Sequence, residues 1–145
     1  MPTFNDLKEA TDVFFKRHWD KSSHTQPYEW VANWPWRGSV PHHDKAGVYA
    51  LIDGEGEIVY VGLGASRGGG LYKEHGISRR LLSHVITTDT AKGRGNYKPK
   101  PKWQGVVDIA AIGFSPNFSY LAPALEDYLI GELEPKRNKV KKKGT

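Results

Sequence analysis

The chain has 145 residues, enough for one domain with its own buried core, and its 21 basic and 16 acidic side chains give a net charge of +5. The absence of cysteine excludes a disulfide framework, a zinc–thiolate site and a thiol nucleophile. No apolar run approaches the ~18 residues of a membrane span, and the N-terminus lacks the features of a signal peptide. We therefore expect a soluble, cytoplasmic protein without a membrane partner.

The positive charge is concentrated in two segments. Residues 136–145 hold six basic side chains and residues 92–102 hold five, and neither segment contains an acid. The rest of the chain has 10 basic residues against 16 acidic ones. A solvated tail would account for the last segment alone. Both segments together, with Tyr97 and Trp103 beside the first, favour a nucleic acid as partner.

The first predicted element is a helix over residues 4–19, with Asn5 or Asp6 as its cap. Residues 20–45 combine prolines and histidines with a tryptophan cluster, which predicts an irregular arm. The indoles of this arm either pack on the core or stack on bases and wedge into a duplex. They are Trp30, Trp34 and Trp36.

Two short strands, at residues 47–52 and 57–62, predict a hairpin whose turn lies within residues 53–56. A two-residue or a four-residue loop gives a register in which Tyr49 lies opposite Tyr60. This register pairs the two tyrosines on the less aliphatic face of the hairpin. That face carries Tyr49, Leu51, Ile58 and Tyr60. Because aromatic cross-strand pairs are common in sheets, the hairpin by itself does not indicate a functional site.

The second half of the chain alternates loops with regular elements. In chain order we predict a Gly-rich loop at 63–76, a helix at 77–88, a basic loop at 92–103, a strand at 106–114 and a helix at 122–133. Arg80 and His84 are four residues apart and share a helix face. Glu126 lies at the margin of the apolar side of the last helix, where a carboxylate needs a cation or hydrogen-bond donors. Asn138 follows this helix.

These elements, in this order, resemble the GIY-YIG nuclease superfamily. The first signature tripeptide is Gly47-Val48-Tyr49, the second is Tyr60-Val61-Gly62, and ten residues separate the two tyrosines, as is typical of the family. The other family positions correspond to Arg80, His84, Glu126 and Asn138. The resemblance implies an α/β (α+β) fold with a small three-stranded, mainly antiparallel sheet flanked by helices. Residues 46–140 would form the nuclease domain, between an N-terminal arm at 1–45 and a basic tail at 141–145.

The resemblance implies hydrolysis of phosphodiester bonds in DNA with one divalent metal ion per active site. This ion would be Mg²⁺, and Mn²⁺ could substitute for it. Tyr60, or else Tyr49, would activate the attacking water, and Arg80 would hold the scissile phosphate. Glu126 would bind the metal on the leaving-group side.

Two further family positions imply supporting roles. His84 would orient a tyrosine or assist proton transfer. Asn138 would brace the site or contact phosphate.

One family position departs from the pattern. Many members have a lysine just after the second tripeptide, and this chain has Leu63 there. Restriction endonucleases of the superfamily carry insertions in this region, and one of them supplies an active-site lysine from its insertion. Lys73 is the candidate here, and an exposed loop lysine is the alternative. His75 is an equally open question.

Five cations outside this set are predicted to contact DNA phosphates, preferentially of a double strand. They are Arg67, Arg94, Lys98, Lys100 and Lys102. One active site per chain would cut both strands as a homodimer or by sequential nicking. His42-His43-Asp44 suggests an HNH nuclease or a metal site, but no partner residues follow at suitable spacing.

The compact chain suits a restriction or phage-defence nuclease, or a phage or mobile-element nuclease. A structure-specific or single-strand-specific repair nuclease is the alternative enzyme. A catalytically silent nucleic-acid-binding module would share the basic segments without needing Tyr60, Arg80 and Glu126 together.

Overall fold

A three-stranded antiparallel sheet forms the centre of the computed structural model, which describes residues 1–19, 28–64, 77, 84–87 and 96–139. The strands in chain order are β1 (Ala46–Asp53), β2 (Ile58–Gly64), β3 (Val85–Thr87), β4 (Tyr97–Pro99) and β5 (Val106–Phe114). The sheet has the order β2-β1-β5, and β3 pairs with β4 in a separate ribbon. The predicted α+β fold with a small antiparallel sheet is confirmed.

Two helices cover one face of this sheet, α1 (Phe4–His18) and α2 (Leu121–Leu133). The predicted cap of α1 is wrong. Thr3 is the cap, because its hydroxyl accepts a hydrogen bond from the Asp6 backbone N–H while the Asp6 carboxylate accepts one from the Thr3 N–H. No helix within the described residues is long and apolar enough to cross a bilayer.

The sheet buries a separate apolar cluster on each face. Side chains of α1 and α2 pack against what we call the helix face, which includes Val48, Ala50 and Ile52 of β1. The opposite face, which we call the arm face, packs against the arm and the segment around the β3–β4 ribbon. Tyr49 and Leu51 of β1 belong to the arm face because successive strand residues point to opposite sides.

The predicted register of the hairpin is wrong by two residues at Tyr49, for two reasons. The turn has three residues rather than two or four, because Gly56 is left-handed at φ +83° and the Asp53–Glu57 pair closes the loop. The register then shifts again at Val59, where a bulge opposes two residues to one. As a result Leu51 lies opposite Tyr60, and Tyr49 lies opposite Gly62.

The bulge also changes which side chains share a face. Tyr60 stays with Tyr49 and Leu51 on the arm face, as predicted. Ile58 and Val59 exchange places, so that Ile58 joins the core of the helix face and Val59 joins the arm face.

Both outer edges of the sheet are covered by other parts of the chain. Val31 exchanges two backbone hydrogen bonds of 2.9 Å with Ala111 on the free edge of β5. On the free edge of β2, the Pro2 carbonyl accepts from Ile58 N–H, and Arg137 N–H donates to the Val59 carbonyl. Each outer edge of the sheet therefore has some backbone partners from outside the sheet.

The segment between β2 and β5 differs from the prediction where it is described. Ile77 is helical, but Val85–Thr87 form β3, so the predicted helix does not extend to residue 88. The predicted basic loop contains β4 and a 3₁₀ turn at Pro101–Trp103. Where a loop was predicted, Tyr97–Pro99 therefore form backbone pairs with Val85–Thr87.

The tryptophans of the arm pack on the protein. The Trp30 indole N–H donates to the Thr11 hydroxyl at 2.9 Å, and the Trp36 indole N–H donates to the Val107 carbonyl at 2.9 Å. Trp34 is buried in the arm-face cluster. Of the two interpretations of these indoles, packing on the core accounts for their contacts.

Candidate active site

Tyr49 is the centre of the polar cluster on the arm face. Its side chain is fully buried, and its hydroxyl oxygen lies 2.8 Å from Nε2 of His84, within hydrogen-bond distance. The phenol reaches His84 because it passes over Gly62 of the neighbouring strand. A Cβ atom built at Gly62 would lie 2.8 Å from Cε2 of Tyr49 and closer still to its Cζ and hydroxyl. The glycine that ends the second tripeptide therefore makes room for the tyrosine of the first.

His84 is held at the base of the ribbon, directly before β3. Its carbonyl accepts a 2.8 Å hydrogen bond from Lys100 N–H, which fixes the backbone at this point. The imidazole is buried, and its centroid lies 4.6 Å from that of Trp103, 5.1 Å from that of Tyr60 and 5.4 Å from that of Tyr49. Three aromatic rings thus fix the orientation of the imidazole.

Tyr60 lies beside this pair and is more accessible to solvent. Its ring centroid is 6.3 Å from that of Tyr49 and 5.0 Å from that of Trp103. The side chain is half-buried, and its hydroxyl forms no hydrogen bond with any of the described residues. The two tyrosines therefore differ in environment: one phenol is buried and bonded to an imidazole, and the other reaches the surface.

Two residues of this cluster were missed by the sequence analysis as site residues. Trp103 contacts Tyr60 and His84, and the Arg137 guanidinium lies over the Trp103 indole with Cζ 4.0 Å from the ring centroid. Arg137 also donates a hydrogen bond to the Lys102 carbonyl. No sequence pattern connects Trp103 with Arg137, which are 34 residues apart. Trp103 directly follows the basic segment 92–102, and Arg137 lies in the basic segment 136–145.

Asn138 is a bracing residue. Its side-chain oxygen accepts from Val61 N–H and its side-chain amide donates to the Val61 carbonyl, both at 2.9 Å. Both groups are buried, so this amide completes the free edge of β2 next to Tyr60. Of the two roles implied for Asn138, bracing agrees with these contacts, and phosphate contact does not.

Glu126 is buried on α2, rather than at the margin of its apolar side. This helix packs on the helix face, while Tyr49 and His84 lie on the arm face. Among the described residues no group of three His, Asp or Glu side chains is arranged to hold a metal. The donor set therefore does not fit an all-protein cage. One carboxylate does fit Mg²⁺, which commonly keeps several waters and binds through one or two carboxylates plus phosphate.

The lysines predicted to contact phosphate lie next to the cluster. Lys98 is exposed on β4, Lys100 directly precedes the 3₁₀ turn that carries Trp103, and Lys102 lies within that turn. Five other predicted residues lie outside the described part of the chain. They are Arg67, Lys73, His75, Arg80 and Arg94.

His42 has a structural environment rather than that of a metal ligand. Its Nε2 atom is buried without a hydrogen-bond partner among the described residues, and its Cβ lies against Gly113. Burial lowers the pKa of His42 below the ordinary value, and the neighbouring Lys45 lowers it further, against a smaller opposing effect of Asp44.

Comparison with protein-family models, with curated proteins and with solved structures finds no match to this chain.

Proposed function

We propose that this protein is a metal-dependent DNA endonuclease that hydrolyses phosphodiester bonds with one divalent metal per active site. The observation that carries the proposal is the contact of Tyr49 with His84 and Tyr60, on a hairpin that bears both tripeptides of the GIY-YIG pattern. Lysines with a nucleic-acid-binding pattern lie next to this cluster.

The difference in burial supports different roles for the two tyrosines. Attack on a phosphodiester requires a group that takes a proton from water, and such a group must meet the substrate. Tyr60 has this access, whereas the Tyr49 hydroxyl is buried against His84. In this proposal Tyr60 accepts the proton, and Tyr49 and His84 hold its ring. A free tyrosine has a pKa near ~10, so phenolate must be favoured by nearby positive charge.

Arg80 and the metal would supply that charge. Arg80 would hold the scissile phosphate. Glu126 would hold Mg²⁺, or Mn²⁺ in its place, from a helix that packs on the face of the sheet opposite Tyr49 and His84. When bound, the metal stabilises negative charge on the phosphoryl and leaving oxygens. Lys73 remains a candidate for the lysine missing at Leu63. DNA is the proposed partner, with a homodimer or sequential nicking for a double-strand cut.

The experiment that tests the proposal is digestion of supercoiled plasmid, linear phage DNA and single-stranded DNA with Mg²⁺, Mn²⁺ or EDTA. We expect metal-dependent cleavage by wild type and a loss of at least about 100-fold in Tyr60→Phe, Arg80→Ala and Glu126→Gln. Tyr120→Phe, at an exposed tyrosine, and Glu132→Gln, on the exposed side of α2, are the matched controls and should cleave normally.

The products separate the enzyme classes. Discrete fragments indicate a site-specific enzyme of the restriction, phage-defence or mobile-element kind. A preference for single strands or branched DNA indicates a repair-type nuclease. Near wild-type cleavage by folded Arg80→Ala or Glu126→Gln contradicts the mechanism. Binding of DNA without cleavage under every condition makes the chain a binding module instead.

A further inference from the structure

Arg137 carries a positive charge that the proposed mechanism does not use. Its guanidinium is half-buried and lies on the Trp103 indole with Cζ 4.0 Å from the ring centroid. One of its five N–H donors is taken by the Lys102 carbonyl. Among the described residues it forms no ion pair with a carboxylate. Within the described part of the chain, its other N–H donors are therefore open to an anion.

The neighbouring cation provides the contrast. Lys136 Nζ lies 3.6 Å from Glu57 and 3.9 Å from Asp53, so two carboxylates already balance its charge. The two adjacent basic residues thus differ. Lys136 has two counter-ions in the hairpin turn, whereas Arg137 lies over an indole and has no carboxylate partner among the described residues. A guanidinium held by stacking is preorganised, and its planar fork matches phosphate oxygens.

The location of Arg137 specifies the anion. The indole on which it stacks also contacts Tyr60, the proposed base, and His84. Its own backbone N–H donates to the Val59 carbonyl, which fixes it to the strand that carries Tyr60. Lys98 and Lys100 precede the 3₁₀ turn that carries this indole, and Lys102 lies within the turn. The positive charge of Arg137 therefore lies next to both Tyr60, the proposed base, and the lysines that are predicted to contact DNA phosphates.

We infer that Arg137 binds a backbone phosphate of the DNA, on the strand being cut and next to the reacting phosphate. The inference rests on the proposed function, since it takes Tyr60 to mark the reaction centre. Arg137 is here a substrate-binding residue. Because Arg137 contacts Trp103, and Trp103 contacts Tyr60 and His84, a phosphate bound by Arg137 would be linked to the aromatic cluster through one side chain.

The test measures binding of a fluorescein-labelled random-sequence duplex by anisotropy, in EDTA and at several NaCl concentrations. Arg137→Gln should weaken binding about tenfold and reduce the slope of log K against log[NaCl] by about one. Arg137→Lys keeps the charge and should keep the slope. Lys136→Gln removes the same charge one residue away and should change the affinity less than about twofold, since that lysine pairs with carboxylates.

A second measurement uses wild type and does not depend on how the variants fold. Phenylglyoxal modification, followed by mass spectrometry, should label Arg137 in the free protein and spare it when duplex is bound. Arg17, exposed on α1, should be labelled in both states. Equal labelling of Arg137 with and without bound duplex overturns the inference, as does an Arg137→Gln protein that binds with the affinity and slope of Lys136→Gln.

The two proposals fail separately in these experiments. Cleavage by wild type with an unchanged salt slope in Arg137→Gln removes the inference alone. A lost phosphate contact in Arg137→Gln, without cleavage by wild type under any condition, removes the nuclease and the position of Arg137 beside a reacting phosphate, and keeps only its contact with a DNA phosphate. A wild type that binds none of the DNAs removes both.

Discussion

At the scale of single residues, Gly62 and Tyr49 form one unit. The Tyr49 ring occupies the space in which any other residue at position 62 would place its Cβ. Gly62→Ala should therefore push the phenol away from His84 and destabilise the fold by about 1–3 kcal/mol through overpacking. Urea unfolding measures the loss of stability, and the proposed nuclease activity should fall with it.

The matched control for this substitution is Gly54→Ala in the hairpin turn. A Cβ atom there meets only the Val107 side chain at an ordinary distance of 3.9 Å. Both substitutions reduce the entropy of the unfolded chain equally, so their difference reports the native contact. Equal stability of the two variants would show that Tyr49 does not need the space above Gly62.

His42 makes stability depend on pH at the residue scale. Burial first, and Lys45 second, lower the pKa of this imidazole in the folded protein. The unfolded chain, with a His pKa near ~6.5, therefore binds the proton more readily. Stability is fully present above that pH and is lost as the pH falls toward the folded pKa.

The variant His42→Asn isolates this effect. Asn tolerates the left-handed backbone at this position, where φ is +57°, and does not titrate. Thermal unfolding between about pH 7.5 and pH 5.5 should show a smaller decrease of Tm in His42→Asn than in wild type. Parallel pH profiles of the two proteins would contradict the assignment, since every other titratable group is the same in both.

At the scale of elements, Asn138 shows how the end of the chain supports β2. Asn138→Asp keeps the shape of the side chain but removes the N–H that the Val61 carbonyl needs, and it buries a charge. We expect a loss of about 1–3 kcal/mol for a buried acceptor left without its donor. Urea unfolding measures the loss, and hydrogen exchange at the Val61 amide locates it on the edge of β2.

The same chemical change at an exposed site is the control. Asn5→Asp lies in the first turn of α1, where a carboxylate is slightly favourable, and should stay within about 0.5 kcal/mol of wild type. An Asn138→Asp protein as stable as this control would mean that the edge of β2 does not depend on the amide.

The elements also show what the sequence could predict. The strand at 106–114 was predicted at its observed bounds because a short run rich in Val and Ile, interrupted only by Asp108, lies between turn residues. The hairpin register was not, because it depends on the left-handed Gly56 and on a bulge at Val59, and neither changes the apolar pattern. One of the two roles that the family resemblance implied for His84 was to orient a tyrosine. Which tyrosine it contacts, and the Trp103–Arg137 contact between distant segments, required the fold.

At the scale of the whole molecule, the charge is distributed in a way that the net value of +5 conceals. Basic residues cluster at 92–102 and 136–145, and the remainder is acidic. Lys98, Lys100 and Lys102 lie on the ribbon and turn beside the aromatic cluster, while pairs of acids lie elsewhere, such as Asp53 and Glu57 in the hairpin turn. DNA should therefore approach one side of the molecule, since the acidic remainder repels phosphate.

This asymmetry predicts the salt dependence of DNA binding. Replacing Lys98, Lys100 and Lys102 together by Ala should reduce the slope of log K against log[NaCl] by about 2.7, because each phosphate contact releases counterions worth about 0.9. Anisotropy titration with the random-sequence duplex measures this slope. A triple variant at Lys8, Lys16 and Arg17, all exposed on α1, has the same net charge and controls for it. If both triple variants reduce the slope equally, only net charge attracts the DNA; a reduction confined to the ribbon variant identifies the surface on which the strand lies.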